Sequence, residues 1–186
     1  MLIALVILVA VAGLFVVLYN GLVNAKNSVD EAWSGIDVQL KRRYDLIPNL
    51  VNVVKGYVKH EHDTLVEVTE ARAQAQASLS QGPQGARSVG AAESLLGEAL
   101  MRLYAVAENY PDLKANQNFM QFQGRLATIE EELSMARRYY NGTVKALNNR
   151  IMQFPSNFVA SLGHFAKADY FEIQNQQERV VPLVQF

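Results

Sequence analysis

The chain contains no cysteine, which excludes disulfides and thiolate metal sites and fits a reducing compartment. Histidine occurs three times and proline five times in 186 residues, so metal ligands and helix breakers are both scarce. Charge of one sign is not in excess. Seventeen basic and eighteen acidic residues leave a formal net charge of −1, which argues against nucleic acid as a partner. No Gly-rich phosphate loop with a Lys-Ser/Thr pair is present, and no serine nucleophile elbow. Gly82 and Gly85 read as a flexible connector, and Gly90 opens the helix that follows. The most telling absence is at the start: no charged side chain precedes Lys26.

What fills that stretch is an apolar run. Thirteen of the residues from Leu2 to Leu18 are Leu, Ile, Val or Phe. At roughly −0.3 to −0.6 kcal/mol each near a helix centre, they favour membrane insertion by about 4 to 8 kcal/mol. A helix over Leu2–Leu18 is about 26 Å long, and Tyr19, Leu22 and Val23 extend it to a hydrocarbon core of ~30 Å. Leu2, Ile3, Leu5, Leu8, Leu14, Phe15, Leu18 and Tyr19 are the anchor candidates. A cleaved signal peptide would have a basic leading region, and its apolar run would not need to continue through Leu14–Leu18 past Ala10 and Ala12. An uncleaved anchor is therefore favoured. Lys26, then Lys41, Arg42 and Arg43, set the charge bias that places the body in the cytoplasm and the N-terminus outside.

Beyond the anchor about 160 residues remain, enough for one domain. Their Ala, Leu, Gln, Glu and Arg content is helical. Trp33, Ile36, Leu40, Tyr44, Ile47, Leu50, Val54, Tyr57, Val58, Leu65, Val68, Ala71, Ala75 and Leu79 recur at helical steps, so a first body helix is expected from about Asn24 to Leu79. Pro48 should kink or break it. The loop 80–85 follows. Val89, Ala92, Leu95, Leu96, Ala99, Leu103, Val106 and Tyr110 mark a second helix over 88–109, ended by Pro111-Asp112. The third runs from Phe119 through Phe122, Leu126, Ile129, Leu133, Ala136, Tyr140, Val144, Leu147 and Ile151 to Phe154 in steps of three and four, with one doubled four like a coiled-coil stutter. Pro155 ends it, and Ser156 is placed to cap a short helix reaching about Phe165. The expected fold is all-α: an N-terminal transmembrane helix (1–23), an elongated antiparallel bundle of three long helices and a short one (24–165), and an extended C-terminal tail (166–186).

Several runs stand out: Tyr19-Asn20, Glu31-Ala32-Trp33-Ser34, Ile36 to Val51, Lys55-Gly56-Tyr57, His60-Glu61 and Ala71-Arg72. Further on come Glu108 to Asn116, Phe119, Ile129-Glu130, Ala136 to Asn141, Asn148, Phe154 to Asn157, Tyr170-Phe171 and the tail 181–186. Together these residues resemble the LemA family. The resemblance implies a bacterial single-pass inner-membrane protein with a cytoplasmic helical bundle. It implies no reaction and no cofactor. Some relatives are associated with internal-membrane formation, and others are encoded near membrane-protein quality-control factors.

Candidate chemistry is thin. His60-Glu61-His62 lacks the i,i+4 histidine pair of a zincin, so a solvated helix surface is the better reading and no metal is expected. Asn141-Gly142-Thr143 matches a glycosylation acceptor but falls in a helix. Lys41-Arg42-Arg43 either meets anionic headgroups, which requires a bent helix, or pairs with Glu130, Glu131 and Glu132 on a neighbouring helix, the favoured alternative. Tyr44, Asp45, Pro48 and Asn49, with Tyr110, Pro111, Asp112 and Asn116, place polar groups beside prolines. Asp45, Asn49, Asn109, Asp112 and Asn116 are expected to cap breaks and satisfy freed backbone; a ligand or partner surface is the alternative. With Trp33 and the basic triplet these are the interaction candidates. The sequence therefore points to a non-enzymatic, self-assembling scaffold whose partners are the lipid bilayer and further copies of itself. The alternative is an adaptor for a membrane-protein quality-control protease, using the tail Val180 to Phe186 as an added strand.

Overall fold

A computed structural model describes residues 1–58 and 61–172. The tail 180–186 and His60 lie outside the described residues. Helix α1 spans Leu2–Lys55 without interruption. Its first five turns touch little else and stay exposed, whereas from Leu22 onward a stripe of Val29, Trp33, Ile36, Leu40, Ile47 and Leu50 is buried. The same helix is thus an uncovered apolar rod for its first third and one wall of a bundle for the rest.

The bundle is completed by α2 (His62–Leu79), α3 (Ala86–Ala107) and α5 (Gln117–Met152). A 3-10 turn at Gly82–Gly85 and the single-turn α4 (Pro111–Lys114) serve as connectors, and α6 (Ser156–Leu162) follows. Among the described residues there is no strand. Cross-helix bonds fix an up-down-up-down order. Arg150 donates to the Gly21 carbonyl, Arg43 pairs with Glu130, and Asn116 bonds Tyr57. These three links run down α1 as they run up α5, so the two helices are antiparallel. Arg72 with Tyr44, and Arg102 with Glu67, do the same for α2 against α1 and α3 against α2. The main core cluster includes the fully buried Tyr44, Tyr140, Leu96, Leu103 and Leu133, and a smaller one joins Leu22 to Val159 and Ala160.

Two sequence expectations shift. The helix does not end at Pro48; it runs on to Lys55 and yields at Gly56, where turn bonds from Gly56 and Tyr57 return to Val53 and Val54. Proline leaves the carbonyl four residues back without its N–H partner. That carbonyl belongs to Tyr44, and the Arg72 Nε donates to it at 2.7 Å. Tertiary contact thus satisfies what the helix cannot, and the weak helix former at Gly56 becomes the break. Asp45 and Asn49 do not do this work. Ser156 is not a cap either: Pro155 holds the N-cap position. The Ser156 hydroxyl instead faces the Arg150 and Gln153 carbonyls, at 2.6 and 2.9 Å, at the end of α5.

The Arg72 bond gives a first prediction. Arg72→Met should lower stability by about 1–3 kcal/mol, the effect of an unmet acceptor. In a Pro48→Ala background the new amide N–H takes the Tyr44 carbonyl, so the same change should lose under ~1 kcal/mol. Urea unfolding of the wild type and the three variants in detergent micelles measures the coupling. Additive losses would mean that Arg72 acts elsewhere.

Candidate functional site

A buried ionic centre lies halfway along the bundle. Glu93 on α3 is 2% exposed, yet it carries a carboxylate. Arg43 of α1 reaches it at 2.9 Å, and the Tyr44 hydroxyl donates to its other oxygen at 2.5 Å. The same guanidinium meets Glu130 of α5 at 3.0 Å, and Glu130 lies 3.9 Å from Arg137. Arg42 pairs with Glu132 at 3.6 Å, and Lys41 with Asp37 on its own helix at 2.6 Å. Arg42 and Arg43 thus pair across helices with Glu132 and Glu130, whereas Lys41 pairs on its own helix and Arg43 also reaches Glu93, which was not among the expected partners. Burial pushes the Glu93 carboxyl up, opposed by the Arg43 guanidinium and the Tyr44 hydroxyl. Burial and the adjacent Glu93 raise the Tyr44 phenol, and burial raises that of Tyr104. A recess of about 420 Å³ opens beside this centre, walled by Arg43, Glu93, Tyr104, Leu126 and Glu130.

A second constellation holds the chain end. After α6 the backbone runs extended and crosses the bundle. The Asn148 amide bonds both the N–H and the carbonyl of Ala168, at 3.0 and 2.9 Å. Asn141 does the same for Phe171, at 2.9 and 3.0 Å. Seven helical residues span about 10.5 Å and three extended ones about 10 Å, so two asparagines two turns apart match the pitch of an extended strap. Phe171 is 2% exposed, 6.1 Å from the Trp33 ring, which meets Tyr140 edge-on at 5.4 Å. The Tyr140 hydroxyl sits against the Asp169 carbonyl at 3.0 Å, and burial, with Asp169 and Asp30 nearby, pushes its pKa up to about 12. The strap crosses α3 at Gly90, where a Cβ would stand 2.1 Å from the Glu172 carbonyl oxygen.

The remaining candidates are spread out. Asn116 caps α5, accepting from the Phe119 N–H at 3.1 Å while bonding the Tyr57 hydroxyl at 2.8 Å. Tyr110 precedes α4, which Pro111 and Asp112 open, at the end of the bundle away from the apolar rod. Asp45 and Asn49 are exposed on α1. Trp33, Arg43 and Tyr44 thus belong to the two constellations, and Tyr110, Pro111, Asp112 and Asn116 to a separate corner. Glu93, Arg137, Asn141, Asn148 and Gly90 were not among the sequence candidates. Among the described residues no cluster of His, Asp or Glu is arranged to hold a metal.

A family model described as "LemA family" matches residues 32–186. The chain belongs to the LemA family. The matched LemA region takes in both constellations and begins just past the uncovered rod. Relatives include Magnetosome protein MamQ 2 of Paramagnetospirillum magneticum, 25% identical over 193 residues, covering 92% of this chain and 71% of that protein. Protein LemA of Metamycoplasma hominis is 29% identical over 152 residues, covering 80% of this chain and 68% of its own. Magnetosome protein MamQ of Magnetospirillum gryphiswaldense is 24% identical over 174 residues, covering 82% of this chain and 64% of its own. Among the described residues of this LemA-family chain one helix, α1, is long and apolar enough to cross a membrane, and its apolar window is uncovered.

Proposed function

We propose that the protein is a non-enzymatic scaffold, anchored in the bacterial inner membrane by residues 2–23 with its bundle in the cytoplasm, which self-assembles and organises or shapes the membrane. One observation carries this reading: α1 is unbroken from the apolar rod to the bundle wall. With no loop between them, contacts among bundles are transmitted to the bilayer as tilt or spacing of the rods. Confinement to a membrane raises effective concentration, so weak bundle contacts suffice. The magnetosome relatives support the reading, since their name ties them to a cell structure and not to a reaction. Reconstitution in liposomes followed by cryo-electron microscopy and mass photometry should show assemblies larger than one chain. A variant beginning at Leu18, which keeps the Leu18 and Leu22 contacts to α6, should stay folded and lose assembly. Strictly monomeric full-length protein in liposomes would overturn the proposal.

A further inference from the structure

Among the described residues nothing covers the side of α6 that faces away from the bundle. Phe154, Phe158 and Leu162 are 80%, 64% and 71% exposed. Phe158 and Leu162 are spaced by four on α6, so they share one helix side, and the Phe154 ring, just before the helix, meets that of Phe158 edge-on at 6.1 Å. Phe154 continues the α5 seam by spacing, yet it is turned out. The other side of α6, Val159 and Ala160, packs on Leu22 of α1, and Phe165 meets Tyr19 at 5.6 Å. The level of α6 along α1 is therefore fixed. From Leu2 to Leu22 the helix rises about 30 Å, the thickness of a hydrocarbon core. On the anchored reading proposed above, α6 sits where acyl chains give way to headgroups, and its apolar side continues the lipid-facing surface of the span.

Charge agrees. No carboxylate precedes Asp30, and none lies between Leu133 and Ala168. This end of the bundle carries Lys26, Lys145, Arg150 and Lys167, with Arg150 held against the Gly21 carbonyl. We infer that α6 is an interfacial wedge: Phe154, Phe158 and Leu162 lie in the headgroup–acyl boundary of an anionic leaflet, and the basic collar meets its phosphates. A seven-residue helix is too short to hold a membrane alone, but α1 and α5 already fix it there. Each span then carries apolar bulk on one side and in one leaflet only, the asymmetry that shaping a membrane requires.

The absence of cysteine makes the test direct. Full-length protein carrying F158C or L162C, each spin-labelled, is reconstituted in vesicles of phosphatidylcholine and phosphatidylglycerol. Collision with oxygen and with a water-soluble nickel chelate is then measured. Leu8→Cys, in the span, and Leu95→Cys, exposed on α3, are references. The ratio of oxygen to nickel collisions at 158 and 162 should be several-fold above that at 95 and below that at 8. It should fall when phosphatidylglycerol is left out. A ratio at 158 and 162 equal to that at 95, with 8 deep in lipid, overturns the wedge and leaves the anchor standing. Shielding from both reagents overturns it in favour of a second copy covering the face. A water-exposed label at 8 overturns the anchored reading, and the wedge with it.

Discussion

Glu93→Ala is expected to lower the unfolding free energy by about 3–5 kcal/mol, the range for removing one partner of a buried ion pair. On a chain of this size that corresponds to a melting point lower by roughly 6–20 °C, read by circular dichroism in detergent. The loss is not the worth of the pair. It is the penalty of leaving Arg43, 8% exposed, with Glu130 alone, and of stranding the Tyr44 hydroxyl. Replacing both ends with apolar residues, Arg43→Met with Glu93→Leu, should therefore recover most of it. Acid should help the wild type. Burial raises the Glu93 carboxyl above its unfolded value, so the folded state holds that proton more tightly. The stability it contributes is complete below the unfolded carboxylate range and is lost as pH rises through the folded value. The difference between wild type and Glu93→Gln should accordingly shift in favour of wild type as pH falls from neutral. A Glu93→Ala change within about 0.5 kcal/mol, the scale of an ordinary surface substitution, would mean that the centre is not closed in solution.

The bundle was legible in sequence because its seams obey one rule: three- and four-residue steps of apolar side chains. The exceptions sit at seam positions in the same pattern, although neither of them names its partner. Ile36, Leu40, Arg43, Ile47 and Leu50 step by four, three, four and three, and so do Val89, Glu93, Leu96, Leu100 and Leu103. Each seam carries one charged residue at a core position, of opposite sign, and the fold brings the two together. The basic triplet drew attention to Arg43, but nothing in α1 alone says that its partner lies on α3. The break after Lys55 was misjudged for the converse reason. Proline has a local signature, while the Arg72 donor that neutralises its effect comes from 24 positions further along the chain, on another helix. Asn141 and Asn148 belong to recognisable motifs, yet their bonds run to backbone, which leaves no side-chain pattern at Ala168 and Phe171 to match them.

Gly90 offers the clearest reversal of a local rule. In an α-helix interior, Gly→Ala ordinarily stabilises by about 0.5–1 kcal/mol. Here the added Cβ would fall 2.1 Å from the Glu172 carbonyl oxygen, a backbone atom that cannot rotate away. Either α3 or the strap must move, and the strap is held by fewer contacts. Displacing it draws Phe171 out from beside Trp33 and breaks the Asn141 bonds. Truncation of a buried Phe, Phe171→Ala, sets the scale at about 3–5 kcal/mol. Gly90→Ala should lose a substantial part of that, about 2–4 kcal/mol, because released residues regain conformational entropy. Hydrogen exchange separates this from simple helix damage. The amides of Ala168 and Phe171, bonded to the Asn148 and Asn141 side chains, should lose protection while those of α3 keep theirs. Stabilisation by the ordinary helix increment, with strap amides still protected, would show that the strap does not cross at Gly90. Loss of the strap would also uncover the Trp33 and Tyr140 rings on the flank of the rod-bearing helix.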